Sequence, residues 1–409
     1  MFLRKTANYW VPFLIILFMV GMTFLNVRID QATDLEDHFA SRWTAASSWM
    51  KEGWSPYSEE THLATIELLD STGDRPDERN LDQFLDPAWY VFFFIPISFV
   101  PYGIAKAIWM TLSQLSVVVS IYLAIHLSGL KMRPVEIVLA SLLGALFYPF
   151  VRAGLSASMA PVFVMFTLLA IKLAFEMQGN QAGFFLLLAF WMNPIALFIT
   201  VFLMIYLGGK RDSSLLKLFL IGLAFLLVIT LILFPGWIPD WFANIIQLNP
   251  DLTWLDTPWM GFSRSFPGAS NQISIGLHLA SFIMLLVEWY GLSGKNERTI
   301  QWKLMLTLTL SYFFNLFSEG SAFLLVLPAL FTVMKYLCEK WPLSGKIIHW
   351  VSFLSVGIFS WRLVLDPLEK FPREHAAILI LVPFLVFIGL QWFRWWATAS
   401  PKALVELKK

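Results

Sequence analysis

Residues 10–37 read WVPFLIILFMVGMTFLNVRIDQATDLED, an uncharged apolar run from Trp10 to Val27 that gives way at once to Arg28, Asp30, Asp34, Glu36 and Asp37. A backbone in lipid finds no hydrogen-bond partner outside itself, so a run of about 20 apolar residues must be a helix. Such runs recur along the chain. After Trp10–Val27 they are expected at Ala88–Val100, Ile104–Gly129, Val135–Val151, Met159–Met177, Ala182–Leu207 and Leu215–Phe234. Ile273–Leu292, Ile300–Phe317, Ala322–Leu337, Ile347–Leu365 and Ala376–Trp396 complete the set. Hydrophobic residues fill 58% of the 409 positions and charged residues 14%, too few charges to coat a soluble domain. Trp residues gather at the ends of the runs (Trp10, Trp43, Trp89, Trp237, Trp241, Trp341, Trp395, Trp396), where an amphipathic ring suits the headgroup layer. The expected fold is all-α: one transmembrane domain over residues 1–409, a polytopic bundle of about a dozen helices.

Lys and Arg collect in short cytoplasmic loops, so they set the orientation. With Arg4 and Lys5 inside, the groups Lys210, Arg211, Lys217; Lys295, Arg298, Lys303; Lys335, Lys340, Lys346; and Lys402, Lys408, Lys409 also fall inside. Both termini are then cytoplasmic, and the expected place is the plasma membrane of a prokaryote. The first span reads as uncleaved, since no small-residue cleavage site follows it. Lys131 and Arg133 fall on the wrong side, which points at the count between residues 88 and 130. There the run Ala88–Val100 is short, contains Pro96 and is followed by Pro101-Tyr102-Gly103, so it reads as a steep, kinked or re-entrant segment.

Two non-cytoplasmic loops are long, 28–87 and 235–272, and long loops in compact bundles commonly carry function. The first contains Phe39, Trp43, Ala46, Trp49 and Met50 at helical spacing, which predicts an amphipathic helix lying in the interface, before Gly53-Trp54-Ser55-Pro56-Tyr57. The second is broken by Pro239, Pro250, Pro258 and Pro267 and reads as a folded cover. A net charge of +1 gives no basic field for nucleic acid, and a lone Cys338 excludes an internal disulfide and a cysteine metal cluster. No Gly-x-Ser-x-Gly elbow, His-Glu-x-x-His motif or Walker loop is present, which removes the serine hydrolases, the zincins and ATP-driven transport by this chain alone.

The string Asp37, Arg42-Trp43, Ala45, Glu52-Gly53-Trp54-Ser55-Pro56-Tyr57-Ser58, then Pro87 to Pro96 and Trp109, resembles the start of glycosyltransferase family 87, formerly domain of unknown function 2029. Asn271-Gln272-Ile273-Ser274 resembles that family's Asn-Gln-Ser segment, and Phe190-Trp191-Met192-Asn193-Pro194 sits at its Lys-Pro step, with Asn193 where the family has Lys. The resemblance implies a GT-C fold and transfer of a hexose, mannose in characterised members, from a polyprenyl-phosphate donor to a lipid or glycan acceptor at the non-cytoplasmic face. It implies no cofactor and no metal. Asp37 matches the family's catalytic acid, with Asp34 as the alternative. Tyr57, Asn193, Asn271 and Gln272 match motif positions expected to bind substrate. Arg264, between Phe262 and Phe266, is a candidate replacement cation; His278, one turn or so into the helix opened by Asn271, and Glu319, in a tight turn with Gly320, are further candidates. Lys106 and Lys172 read as side chains reaching from span ends to the interface. A polyprenyl-phosphate or lipid transporter and a catalytically inactive relative are the competing classes.

Overall fold

The computed structural model of the chain describes residues 2–32, 37, 39–72, 83–248, 257–263, 266, 268–292, 296–315, 320–365 and 372–398. Among the described residues every regular element is helical. In chain order they are α1 (Phe2–Asp30), α2 (Ala40–Glu52), α3 (Glu59–Thr72), α4 (Tyr90–Ser98), α5 (Tyr102–Ser128), α6 (Pro134–Ala145) and α7 (Tyr148–Leu155). There follow α8 (Ala160–Phe175), α9 (Gly179–Met192), α10 (Ala196–Gly209), α11 (Ser214–Leu233), α12 (Trp237–Leu248) and α13 (Pro258–Ser263). The last are α14 (Ser270–Trp289), α15 (Glu297–Phe313), a 3-10 segment (Gly320–Val326) running into α16 (Leu327–Lys340), α17 (Pro342–Leu365), α18 (Pro372–Trp392) and α19 (Arg394–Thr398). Six helical stretches are long and apolar enough to cross a membrane: Pro12–Asp30, Tyr102–Ser128, Ser214–Leu233, Ser270–Trp289, Ala322–Lys340 and Pro342–Trp361. A seventh is α6 with α7, bent by 66°. The chain has the helices of a polytopic membrane protein. The structure divides into two compact units.

The first unit comprises Met1–Leu115, Arg152–Met159 and Leu226–Pro250. Here α1 turns Leu14, Ile16 and Phe18 outward, each more than half exposed, as a lipid-facing helix does. Its inner edge carries Thr23 and Asn26. The Asn26 amide donates to Thr111 Oγ1 and Gln114 Oε1 at 3.0 Å each and receives Gln114 Nε2 at 3.0 Å, which ties α1 to α5. The first long loop contains α2 and α3. Instead of one buried face, α2 has buried residues all the way round (Ser41, Thr44, Ala45, Ala46, Ser47, Ser48), and it packs on α4 and α3. Small side chains permit that close approach. Gly53 ends it in the left-handed region, φ 73°, with its N–H on Trp49 O at 3.0 Å. The sequence reading did not include α3. Its signal is Ser58, which accepts the Thr61 N–H at 3.4 Å, followed by Glu59 and Glu60 at the positive end of the helix dipole. Nine residues long, α4 rises about 14 Å, less than half the roughly 30 Å hydrocarbon core. It is held on α2 by Phe39 against Phe94 and Trp49 against Phe92.

The second unit comprises Ser116–Val151, Ala160–Phe225 and Asp251–Lys409. The expected span Ala182–Leu207 is a hairpin, α9 and α10, folded at Asn193-Pro194. Asn193 is extended (φ −158°, ψ 118°), as a residue before proline prefers to be, and its Oδ1 accepts the Ile195 N–H at 3.0 Å to start α10. The two ends of the hairpin lie together: a Cβ on Gly179 would strike Ser214 and Asp212, just beyond α10. α9 then runs beside α11, with Phe190 against Phe219 at 5.7 Å and Gly183 against the Leu215 backbone. α15 and α16 form the buried centre of this unit, with Trp302, Tyr312, Phe331 and Tyr336 all at 0% exposure. α17 packs on α16 through Gly345, where a Cβ would lie 2.6 Å from Leu337 O. The second long loop is also helical, α12 belonging to the first unit and α13 to the second.

Candidate functional site

Where α1 ends, α2 begins and α5 begins, the first unit brings together four polar side chains, three of them buried. Lys106, one turn into α5, is 2% exposed. Its Nζ lies 2.7 Å from Asp30 Oδ1, at the last residue of α1, and 2.7 Å from Asp37 Oδ2. Tyr102, one turn before Lys106 on the same face, donates its hydroxyl to Asp37 Oδ2. The other oxygen, Asp37 Oδ1, accepts the Phe39 and Ala40 N–H groups at 2.8 and 3.0 Å and so caps α2. All four lone-pair directions of Asp37 are therefore used. Asp30 differs. It is 22% exposed, and the ammonium engages only its Oδ1.

Aromatic rings wall this cluster. Phe39 lies 6.1 Å from both Tyr102 and Trp109, Trp43 meets Tyr102 edge-on at 5.4 Å, and Phe94 packs on Trp109 at 5.1 Å. In so apolar a setting an unmatched charge would be costly, which is why the ammonium has two carboxylates. The indole N–H groups of Trp43 and Trp109 and the hydroxyl of Thr44 are buried with no partner among the described residues. With two carboxylates to one ammonium, the cluster carries a net negative charge. It suits a proton acceptor rather than a cradle for phosphate.

Next along α2, Arg42 grips Asp86, Nε to Oδ2 at 2.5 Å and Nη2 to Oδ1 at 3.4 Å. Tyr57 donates its hydroxyl to the Asp86 carbonyl at 2.8 Å. Burial pushes the Tyr57 phenol well up, and the Asp86 and Asp240 carboxylates push the same way, so it remains a neutral donor at any ordinary pH. Asp37 and Tyr57 thus belong to one network, joined through α2, Arg42 and Asp86, without touching.

The other expected site residues belong to the second unit. His278 is half-buried, its Nε2 3.1 Å from Thr257 Oγ1 and its Nδ1 2.8 Å from Ser274 O, with its ring edge-on to Phe314 at 5.4 Å. Asn193 Nδ2 donates to Asn315 Oδ1 at 2.9 Å. Both therefore converge on Phe314 and Asn315 at the end of α15. Asn193 holds the helix break. Asn271 and Gln272 are exposed at the start of α14. Asp34, Arg264 and Glu319 lie outside the described residues.

Asp30, Tyr102 and Lys106 of the cluster, and Arg42 beside it, were absent from the expected site. Tyr102 and Lys106 stand four residues apart at the head of a long apolar run, and an ionisable group in such a run is a functional signal in its own right. Reading Lys106 as reaching out to the interface was incorrect, because it is 2% exposed and pairs with Asp30 and Asp37. Arg42 was visible only as part of a motif, since its partner Asp86 is 44 residues away. No protein-family model matches this chain, and no curated protein matches it in sequence.

Proposed function

We propose that the chain is a membrane-embedded glycosyltransferase that moves a hexose, mannose by the family 87 resemblance, from a polyprenyl phosphate to a lipid or glycan acceptor at the non-cytoplasmic face. The observation that carries this reading is the buried Asp30–Lys106–Asp37 cluster at the end of the first helix, where that family keeps its acid. In the reaction an acceptor oxygen attacks the anomeric carbon, its proton passes to a carboxylate, and the carbon–oxygen bond to phosphate breaks with its electron pair leaving on the phosphate. Asp37 takes that proton at Oδ2 when Tyr102 or Lys106 gives up its place there. Asp30, with one oxygen outside the ion pair, is the second carboxylate able to do so. Lys106 and Tyr102 are positioning residues in this scheme.

The test is transfer from radiolabelled polyprenyl-phosphate mannose to host lipid extract by the purified protein in lipid, with Asp37→Asn, Asp30→Asn and Asp34→Asn alongside. Loss of the general base lowers turnover by about 10²–10⁴-fold, and that loss is expected for Asp37→Asn. A loss confined to Asp30→Asn or Asp34→Asn keeps the function and moves the base. A folded wild type that transfers nothing but carries the labelled donor across vesicles makes the chain a transporter.

A further inference from the structure

The first long loop contains a cavity that the acid–lysine cluster does not line. It lies between α3, residues 83–86 and α12, with a volume of about 190 Å³. Tyr57 and Phe84 form its apolar wall, their ring centres 5.6 Å apart and their planes inclined at 56°. Polar groups face that wall: the amides of Gln83 and Asn244, the Thr65 hydroxyl and the His62 ring.

The hydrogen bonds already made there narrow the ligand class. Thr61 Oγ1 donates to Ser55 O at 2.8 Å and Thr65 Oγ1 to Thr61 O at 2.9 Å, so both hydroxyls keep only acceptor lone pairs for a visitor. Among the described residues, no partner engages the side-chain amides of Gln83 and Asn244, and each offers donors and an acceptor. A ligand with several hydroxyls and one apolar face satisfies both walls together. An anion does not fit, since among the described residues no Lys or Arg lines the cavity and Glu59 stands at its edge. A prenyl chain would leave the amides unpaired. At roughly 30 Å³ for each water, the space equals about six waters, the volume one six-membered sugar ring displaces.

We propose that this cavity binds a single neutral monosaccharide ring, and that the ring belongs to the acceptor. The second half rests on the transferase reading above; the first does not. Tyr57 ties the cavity to the reaction centre, because its hydroxyl sits on Asp86, Asp86 holds Arg42, and Arg42 projects from the helix that Asp37 caps.

The experiment uses the full chain in lipid nanodiscs, with methyl α-mannoside and methyl α-glucoside as probes, inorganic phosphate as the charged comparison, and ligand-observed NMR as readout. The variants are Asn244→Ala and Gln83→Ala, which remove no internal hydrogen bond among the described residues. Saturable glycoside binding is expected for wild type, weakened about ten-fold by each variant, with no signal from phosphate. In the transfer assay the same variants are expected to raise the acceptor KM and leave kcat in place. Absence of glycoside binding, binding indifferent to both variants, or phosphate displacing the glycoside overturns the site. Binding that the variants abolish in a protein without transfer activity keeps the site and sinks the transferase reading. Transfer with an acceptor KM that neither variant moves keeps that reading and sinks the site.

Discussion

A lysine with 2% of its surface exposed keeps its charge in the first unit because Asp30 and Asp37 stand 2.7 Å from it on two sides. Breaking a buried pair by deleting one partner is much worse than never having had it, because the remaining charge is left in an apolar setting. Lys106→Met leaves two carboxylates facing each other among Phe39, Tyr102 and Trp109. It is expected to lower stability by about 3–5 kcal/mol, read as loss of the folded peak when heated detergent extracts are passed over a sizing column. Asp37→Asn should cost clearly less, since the amide oxygen still accepts the Phe39 and Ala40 N–H groups and Lys106 keeps Asp30. If both variants fall together, the cluster is not held as described. Combining them should recover part of the Lys106→Met loss, the mark of two residues that act on each other. The sequence reading reached Asp37 through a motif but not its partner, because burial of Lys106 depends on a tertiary event, the meeting of Asp30 and Asp37 with the head of α5, 69 or more residues along the chain.

Helices pack here by letting backbones approach where side chains are small. Gly345, in the first turn of α17, faces the last turns of α16, where a Cβ would lie 2.6 Å from Leu337 O and 2.9 Å from Cys338 Cα. Both obstacles are backbone atoms and cannot swing aside. Gly345→Ala is therefore expected to destabilise by about 1–3 kcal/mol, the usual cost of overpacking. Gly276, within α14, is the comparison: nothing lies within 4 Å of its Cβ position, so Gly276→Ala should be neutral or gain up to about 1 kcal/mol from helix propensity. Thermal midpoints of the two variants in one detergent decide the matter, and equal midpoints would refute the close approach. Elements of this kind were unevenly legible. The long apolar helices could be read from hydropathy alone, and α3 could have been found from its Ser58 cap. The α9–α10 hairpin was hidden by its uniform apolarity, and Asn193 was weighed as a ligand group when its place before Pro194 made it the point of the turn.

At the scale of the whole chain, two elements depart from the expected spans and change which loops share a side. α4 is too short to cross, and the α9–α10 hairpin returns to the side it left. If α6–α7 leads across and α8 leads back, the charge rule is expected to place Lys131, Arg133, Lys210 and Arg211 on the side it assigns to Arg4 and Lys5, leaving no exception. On a Cys338→Ser background, Lys131→Cys and Lys210→Cys are expected to react with an impermeant maleimide only in opened cells, and Ser71→Cys in intact ones. Labelling of Lys131→Cys from outside would restore α4 as a crossing. The hairpin also has a consequence in time. During synthesis its two limbs emerge as one continuous greasy segment, which an insertion machine would accept as a single crossing. The side-chain bond that fastens the turn joins Asn193 to a residue 122 positions later. At about 5–20 residues per second, that partner is made roughly 6–24 s afterwards, so through that interval the turn stands without its long-range fastening and relies on the local bond from the Ile195 N–H to Asn193 Oδ1.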